Sequence, residues 1–405
     1  SAASDVYKRQ VVHSSLSPWI IVSVIMLSGL SQVINFFFQG KYRILMQVEG
    51  KSYILTNLGT IVNTFSSIGK IILLLNGANI AVLQLMYFGF SVLQMIYITR
   101  YIRKNYQWLD LSVKPDYEAI SQKNSVMVHQ ISGLIFENTD VLVLTVVCGL
   151  KTVSVYSMYV MLFGMVGTAI STINSSVSFA MGQAYNTDKK YFSKLYNIFE
   201  TYNMSLTFSL YCVANIFILP FLRLYTKGVS DVQYVDHLLP YLFIMTYLLS
   251  NGRSAAQRVI EYAGHFKLTQ NRSIIESAIN ICVSLVCVFK FGIYGVLFGT
   301  IAALFYRTND MILYSSHKLL KRSAKNTYFK WLLNFILFAV IMFVSNKLFD
   351  ITMLNSYIMI IIYAAITGVV VVAAFFVMGS VIDKESYLYC RDFIVRKIKL
   401  KFDRQ

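Results

Sequence analysis

Residues 126–149 read VMVHQISGLIFENTDVLVLTVVCG, a run long enough to cross a bilayer but with acid in its middle. About 20 predominantly apolar residues span the hydrocarbon core, yet this run carries His129, Glu137, Asn138 and Asp140. Glu137 and Asp140 are three residues apart, so a helix places them on one face. A carboxylate near the centre of a span costs at least about 2.5–3.5 kcal/mol. Such a pair is expected only where the helix faces a wet cavity or a partner.

The composition around this run is that of a membrane protein. The 405 residues are 56% hydrophobic and 14% charged, with a mean hydropathy of +0.58. A soluble domain carries about 25% charged residues, so the chain reads as an all-α polytopic membrane protein. Its formal net charge of +17 would suit a nucleic acid if it were clustered. The Lys and Arg instead lie mostly in short runs between apolar segments, the signature of cytoplasmic loops, and no nucleic-acid partner is expected. Of the five cysteines, Cys148, Cys212, Cys282 and Cys287 lie in apolar spans and Cys390 in the tail. None has zinc-type spacing, so neither a disulfide framework nor a metal site is expected, and no cofactor is called for.

Runs long enough to span number about eleven. They lie near 17–38, 53–76, 80–102, 124–149, 153–183, 198–224, 237–256, 271–289, 292–316, 328–348 and 355–379. Every second loop is basic, carrying in turn Lys41, Arg43 and Lys51; Arg100, Arg103, Lys104 and Lys114; Lys189, Lys190 and Lys194; Arg253, Arg258 and Lys267; Lys318, Lys321, Arg322 and Lys325. The loops at 77–79, 150–152, 225–236, 290–291 and 349–354 carry few charges. The positive-inside rule puts the basic tail, 381–405, in the cytoplasm and the weakly charged loops outside. Lys397, Lys399, Lys401 and Arg404 in that tail read as topology and lipid-headgroup attraction.

An internal repeat is visible. QVEGKSYILTN, an apolar span, NGANIAVLQ and a second span recur as EYAGHFKLTQN, a span, FGIYGVLFG and a second span. Gly50 matches Gly264 and Asn57 matches Asn271 at one constant offset. The first ten residues, SAASDVYKRQ, read as the translation of a sequencing-library adapter and are excluded from fold reasoning. Set against the repeat, they imply that about three N-terminal spans are missing. The expected organisation is the remaining three spans of an N-lobe at 11–121, a six-span C-lobe at 122–325 and two extra C-terminal spans at 326–380.

Three stretches carry a family resemblance: VHQISGLIFENTDVLVLTVVCGLKTVSVYSMYVMLF, NGRSAAQRVIEYAG and SIIESAINICVSLVCVFKFGIYGVLFGTIAA. Over roughly residues 40 to 320 the chain resembles the polysaccharide-transporter branch of the multidrug/oligosaccharidyl-lipid/polysaccharide exporter superfamily, the O-antigen and capsule repeat-unit flippases. One departure stands at Phe179, where many members carry a proline before the Gly that ends the span; a kink there is in doubt. The resemblance implies two six-helix lobes around a cavity that opens alternately to each side of a bacterial cytoplasmic membrane. It implies a polyprenyl-pyrophosphate-linked oligosaccharide as substrate, a proton or sodium gradient as driving force, and a polysaccharide polymerase as a partner in surface polysaccharide synthesis.

Such a substrate sets distinct chemical demands. Its sugar needs hydrogen-bonding side chains, and Asn63, Thr64, Ser66 and Ser67 in one span and Thr168, Ser171, Thr172, Asn174, Ser175, Ser176 and Ser178 in another supply them. Small polar residues also serve as interhelical glue. Its pyrophosphate needs cations. Lys70 lies inside a span, where snorkelling competes with ligand binding. Arg253 and Arg258 sit at a cytoplasmic mouth, where topology alone also favours Arg. Arg307 and Asp310, three apart, read as a mutual ion pair. For coupling, Glu137 and Asp140 cannot both ionise comfortably in a low-dielectric site, so one is expected to hold a proton or sodium. His129 either relays protons or bonds a backbone carbonyl. Two other readings stand beside this one. A cation or drug exporter of the same superfamily would want few internal Lys or Arg. A membrane polymerase or glycosyltransferase would want a sizeable soluble loop or a D-x-D motif, and neither is present, so no enzymatic activity is expected.

Overall fold

The computed structural model describes residues 17–109, 118, 120–229, 232–348 and 354–402. The adapter-like segment 1–10, Lys114 and Arg404 fall outside these residues, as do the side chains of Lys397, Lys399 and Lys401. The described chain is all α-helical, and nine of its helices are long and apolar enough to cross a membrane. It divides into two compact units, Ser1–Tyr117 and Glu118–Gln405.

The first unit holds α1 (Pro18–Val48), α2 (Ser52–Leu75) and α3 (Ile80–Asn105). α1 runs ten residues past the expected end at 38 because a π-helical turn, Ile34–Gln39, is followed by a further α-helical stretch, Gly40–Val48. Tyr42, Met46, Ile98, Ile102 and Tyr106 form its core. Asn79 caps α3 by accepting hydrogen bonds from the N–H groups of Ala81 and Val82, which satisfies donors a helix start leaves open.

The second unit holds α4 (Lys123–Val147), α5 (Leu150–Thr187), α6 (Lys189–Tyr225), α7 (Leu239–Gly252), α8 (Ser254–Tyr262), α9 (Phe266–Phe291), α10 (Ile293–Tyr314), α11 (Lys325–Leu348), α12 (Tyr357–Ile382) and α13 (Lys384–Phe402). α6 is its axis. The ring of Phe208 meets those of Trp331, Phe335 and Phe375, fastening α11 and α12 against α6. α5 is 38 residues long and its helix runs unbroken through Phe179. The expected span at 237–256 is instead a 14-residue α7 that breaks at Arg253 and resumes as α8. Gly252 ends α7 where the Trp331 ring occupies the space a Cβ would need.

α9 and α10 are joined through Gly292, at φ 55°, and pack against each other at backbone distance. A Cβ on Gly299 would lie 2.7 Å from the Ser284 nitrogen and 2.9 Å from the Asn280 carbonyl oxygen. Small residues four apart, here Gly295 and Gly299, let membrane helices approach this closely.

The internal repeat has a counterpart in backbone hydrogen bonds. Gly50 N–H donates to the Gln47 carbonyl and Lys51 N–H to that of Met46; Gly264 N–H donates to Glu261 and His265 N–H to Ile260. Every one of these residues is displaced by the same offset. Both glycines are left-handed, at φ 70° and 65°, the conformation a glycine supplies at a helix C-terminus.

Candidate functional site

α9 is an inside-out helix. Its buried positions are Thr269, Ser273, Glu276, Ser277, Asn280, Ser284 and Val288, while Ile274, Ile275, Leu285, Val286 and Phe289 are exposed. The polar ones recur at helical spacing and form a seam against α4 and α10. In water such a face would be turned outward; in a bilayer the exposed face must be apolar and polar groups must find partners inside.

Towards the weakly charged loops the seam meets Asp140 on α4, which is 3% exposed. Asp140 Oδ2 accepts hydrogen bonds from the Tyr156 hydroxyl at 2.8 Å and from the Thr300 hydroxyl at 2.7 Å. Oδ1 has a single long bond, from Asn280 Nδ2 at 3.4 Å, and Asn280 Nδ2 also donates to Thr300 Oγ1 at 3.0 Å. No cationic side chain among the described residues pairs with Asp140. The Asn280 amide oxygen, also buried, has no partner. Asp140 thus keeps one carboxylate oxygen nearly unused beside a buried amide whose own oxygen has no partner, an unusual provision for an acid inside a membrane helix.

Glu137 is not buried with it. It is exposed and makes no hydrogen bond or ion pair among the described residues. Three residues on a helix leave about 60° between two side chains. That is enough to turn Asp140 into the α5–α9–α10 contact while Glu137 stays on the outer flank.

His129 belongs to the other end of the seam. Its Nε2 lies 3.0 Å from the Phe266 carbonyl oxygen and its Nδ1 3.0 Å from Ser273 Oγ, so the backbone-bonded reading of this histidine is the one seen. Beside it, at the basic-loop end, five charged side chains from three segments interlock. Arg253, on the break between α7 and α8, donates to Glu276 Oε1 at 2.8 Å. Arg307 lies 3.4 Å from Glu276 Oε2 through Nε and donates to Asp310 Oδ2 at 2.8 Å through Nη1. Arg272 donates to Asp310 Oδ1. The expected Arg307–Asp310 pair is present, but as part of a larger network. Arg307 is 1% exposed, and the Nε–H groups of Arg253 and Arg307 are buried without a hydrogen-bond acceptor, the 3.4 Å contact of Arg307 with Glu276 being an ion pair only. Arg258 lies apart from this network, on α8, and pairs with Glu261 at 3.1 Å.

On α5, Thr168, Ser171, Thr172, Ser175 and Ser176 are exposed and form one stripe at i, i+3, i+4, i+7 and i+8, each hydroxyl donating back to its own helix. Their acceptor lone pairs face outward. Asn174 leaves this stripe: it is buried and lines a 360 Å³ cleft with Phe199, Asn203 and Phe376. In the first unit, Asn63 is exposed, and Lys70 sits with its ammonium 4.8 Å from the centre of the Tyr87 ring.

One further charged site escaped the sequence reading. Glu200 on α6 accepts from Tyr196, Arg322 and Thr327 at Oε1 and from Lys330 at Oε2, at 2.6–3.0 Å. Lys330 lies 3.6 Å from Asp383 at the end of α12. A lone Glu and a lone Lys in otherwise apolar runs were the available signal. No protein-family model and no curated protein matches the sequence; the nine membrane-length helices among the described residues support a polytopic all-α membrane protein, an architecture consistent with a transporter.

Proposed function

We propose that this protein is a flippase that carries polyprenyl-pyrophosphate-linked oligosaccharides across a bacterial cytoplasmic membrane by ion-coupled alternating access. The observation that supports it best is the polar seam on α9, with a cation-free carboxylate toward one end and an arginine-rich network at the other. In this reading Asp140 takes the coupling proton or sodium, with Asn280, Thr300 and Tyr156 as its neighbours, and Glu137 passes the ion from the exposed flank. The α5 hydroxyl stripe, and Asn63 in the first unit, offer hydrogen bonds to the sugar. Arg253 and Arg258 act on the pyrophosphate, joined by Arg272 and Arg307, and Lys70 is the cation that the first unit offers for the same role. Asn174, turned into its cleft, contributes from the side rather than from the stripe. The basic loops and the tail lie on the cytoplasmic side, and a polymerase receives the product outside.

The test is transport in vesicles with an imposed ion gradient and a fluorescent lipid-linked oligosaccharide. Asp140→Asn should insert and fold normally yet lose gradient-driven transport, and Glu137→Gln should be impaired as well. Wild-type rates in both variants would remove the coupling assignment.

A further inference from the structure

The basic network holds three guanidinium groups against two carboxylates: Arg253, Arg272 and Arg307 with Glu276 and Asp310. One positive charge is in excess, in a region where an unmatched charge is expensive. Two buried Nε–H donors, on Arg253 and Arg307, lack an acceptor. The network is therefore short of one anion and of oxygen acceptors.

Glu276 occupies the position that such an anion would take. One carboxylate spans two arginines on different segments, Oε1 on Arg253 and Oε2 on Arg307. This is the bridging role a phosphate plays between guanidinium groups, with more oxygens and more charge available to do it. Arg253 stands on the break between α7 and α8, where the chain is free of regular helix hydrogen bonding on one side. Arg272 precedes Glu276 by four residues on α9, within reach of a displaced carboxylate on the same helix face, and it is the most exposed member of the set, with a side chain 34% accessible.

We infer that Glu276 is a built-in placeholder: it holds Arg253 and Arg307 in the empty carrier, and the diphosphate of the substrate displaces it toward Arg272. The inference rests on the flippase reading for the identity of the ligand. Its physical content is competition between one carboxylate and one diphosphate for the same two arginines. The competitor keeps the arginines charged, oriented and neutralised while no substrate is bound, and it weakens substrate binding enough for release on the far side.

Binding of inorganic pyrophosphate and of a polyprenyl diphosphate to the full chain in nanodiscs tests this. Glu276→Gln should bind both about tenfold tighter than the wild type, and Arg253→Gln should bind both more weakly. Glu276→Asp keeps the charge but cannot bridge both arginines, so it should fall between wild type and Glu276→Gln. Equal or weaker binding by a folded Glu276→Gln overturns the inference; if that variant does not fold, binding by Glu276→Asp no tighter than wild type overturns it instead. The flippase reading fails separately, if the wild type moves no lipid-linked oligosaccharide across vesicles while the Glu276 variants still show the gain with pyrophosphate.

Discussion

Asp140 and Glu200 are equally buried, each 3% exposed inside a membrane helix, and they are provided for in opposite ways. Glu200 accepts from two hydroxyls and is paired with two cations, Arg322 and Lys330. Both of its oxygens are in use and its charge is fully answered. Asp140 receives three neutral donors and no cation, with one oxygen nearly unused. A carboxylate whose charge is matched inside the fold joins helices; one whose charge is left open is where we propose that a mobile ion acts. Burial alone does not separate the two roles, and partner chemistry does.

The comparison breaks most visibly at Glu200. Glu200→Ala leaves Lys330 and Arg322 buried around a vacant position, and loss of one partner from a buried ion pair costs about 3–5 kcal/mol. A large fall in the detergent unfolding temperature is expected, with α11 and α12 loosened from α6. Asp140→Asn should cost under about 1 kcal/mol by the same measurement, because an amide oxygen can still accept from Tyr156 and Thr300; the loss there is of transport. Similar destabilisation by both variants would erase the distinction.

A finer comparison lies between the two repeated turns. Gly50→Ala and Gly264→Ala each force a side chain into the left-handed region, at a cost of about 1 kcal/mol apiece. Equal costs would strengthen the repeat, and a clear difference would confine it to hydrogen-bond pattern.

The smallest effect belongs to Asp236, in the weakly charged loop before α7. Partial burial pushes its carboxyl up, but hydrogen bonds from the Tyr294 hydroxyl and from the N–H groups of Leu239 and Leu238 outweigh this and hold it below the ordinary 3.8. A depressed value adds stability above the unfolded value, which is lost as pH falls through the lower folded one. Tyr294→Phe should therefore lower the melting temperature on the neutral side and flatten the acid limb below pH 3.8, the variant and the wild type converging as pH falls.

How much of this was legible in the sequence follows from how local each property is. Apolar length and loop charge are local, so all eleven expected spans fall on helices, nine of them membrane-length, with the clearest departures at α1, whose π turn carries it on, at α6, which starts at Lys189, and at α7, which ends against Trp331. Asp140 was legible because an acid in a span is expensive wherever it lies. The split between Asp140 and Glu137 was not, since the rotation of α4 is set by Asn280 and Thr300, distant in sequence. The arginine network was half legible. Arg307 and Asp310 are neighbours on one helix, whereas Glu276 and Arg253 lie on different segments and meet only in the folded chain.

The inside-out face of α9 bears on how the chain enters the membrane in the first place. Alone, α9 would carry Arg272, Glu276 and Asn280 into hydrocarbon at a cost of several kcal/mol. α10 follows after the single residue Gly292 and brings Arg307 and Asp310, the opposite charges for Glu276 and Arg272. Inserted together as a hairpin, the two helices neutralise each other's charges and present mostly apolar flanks to lipid. The pair therefore enters the bilayer at lower cost than α9 would alone.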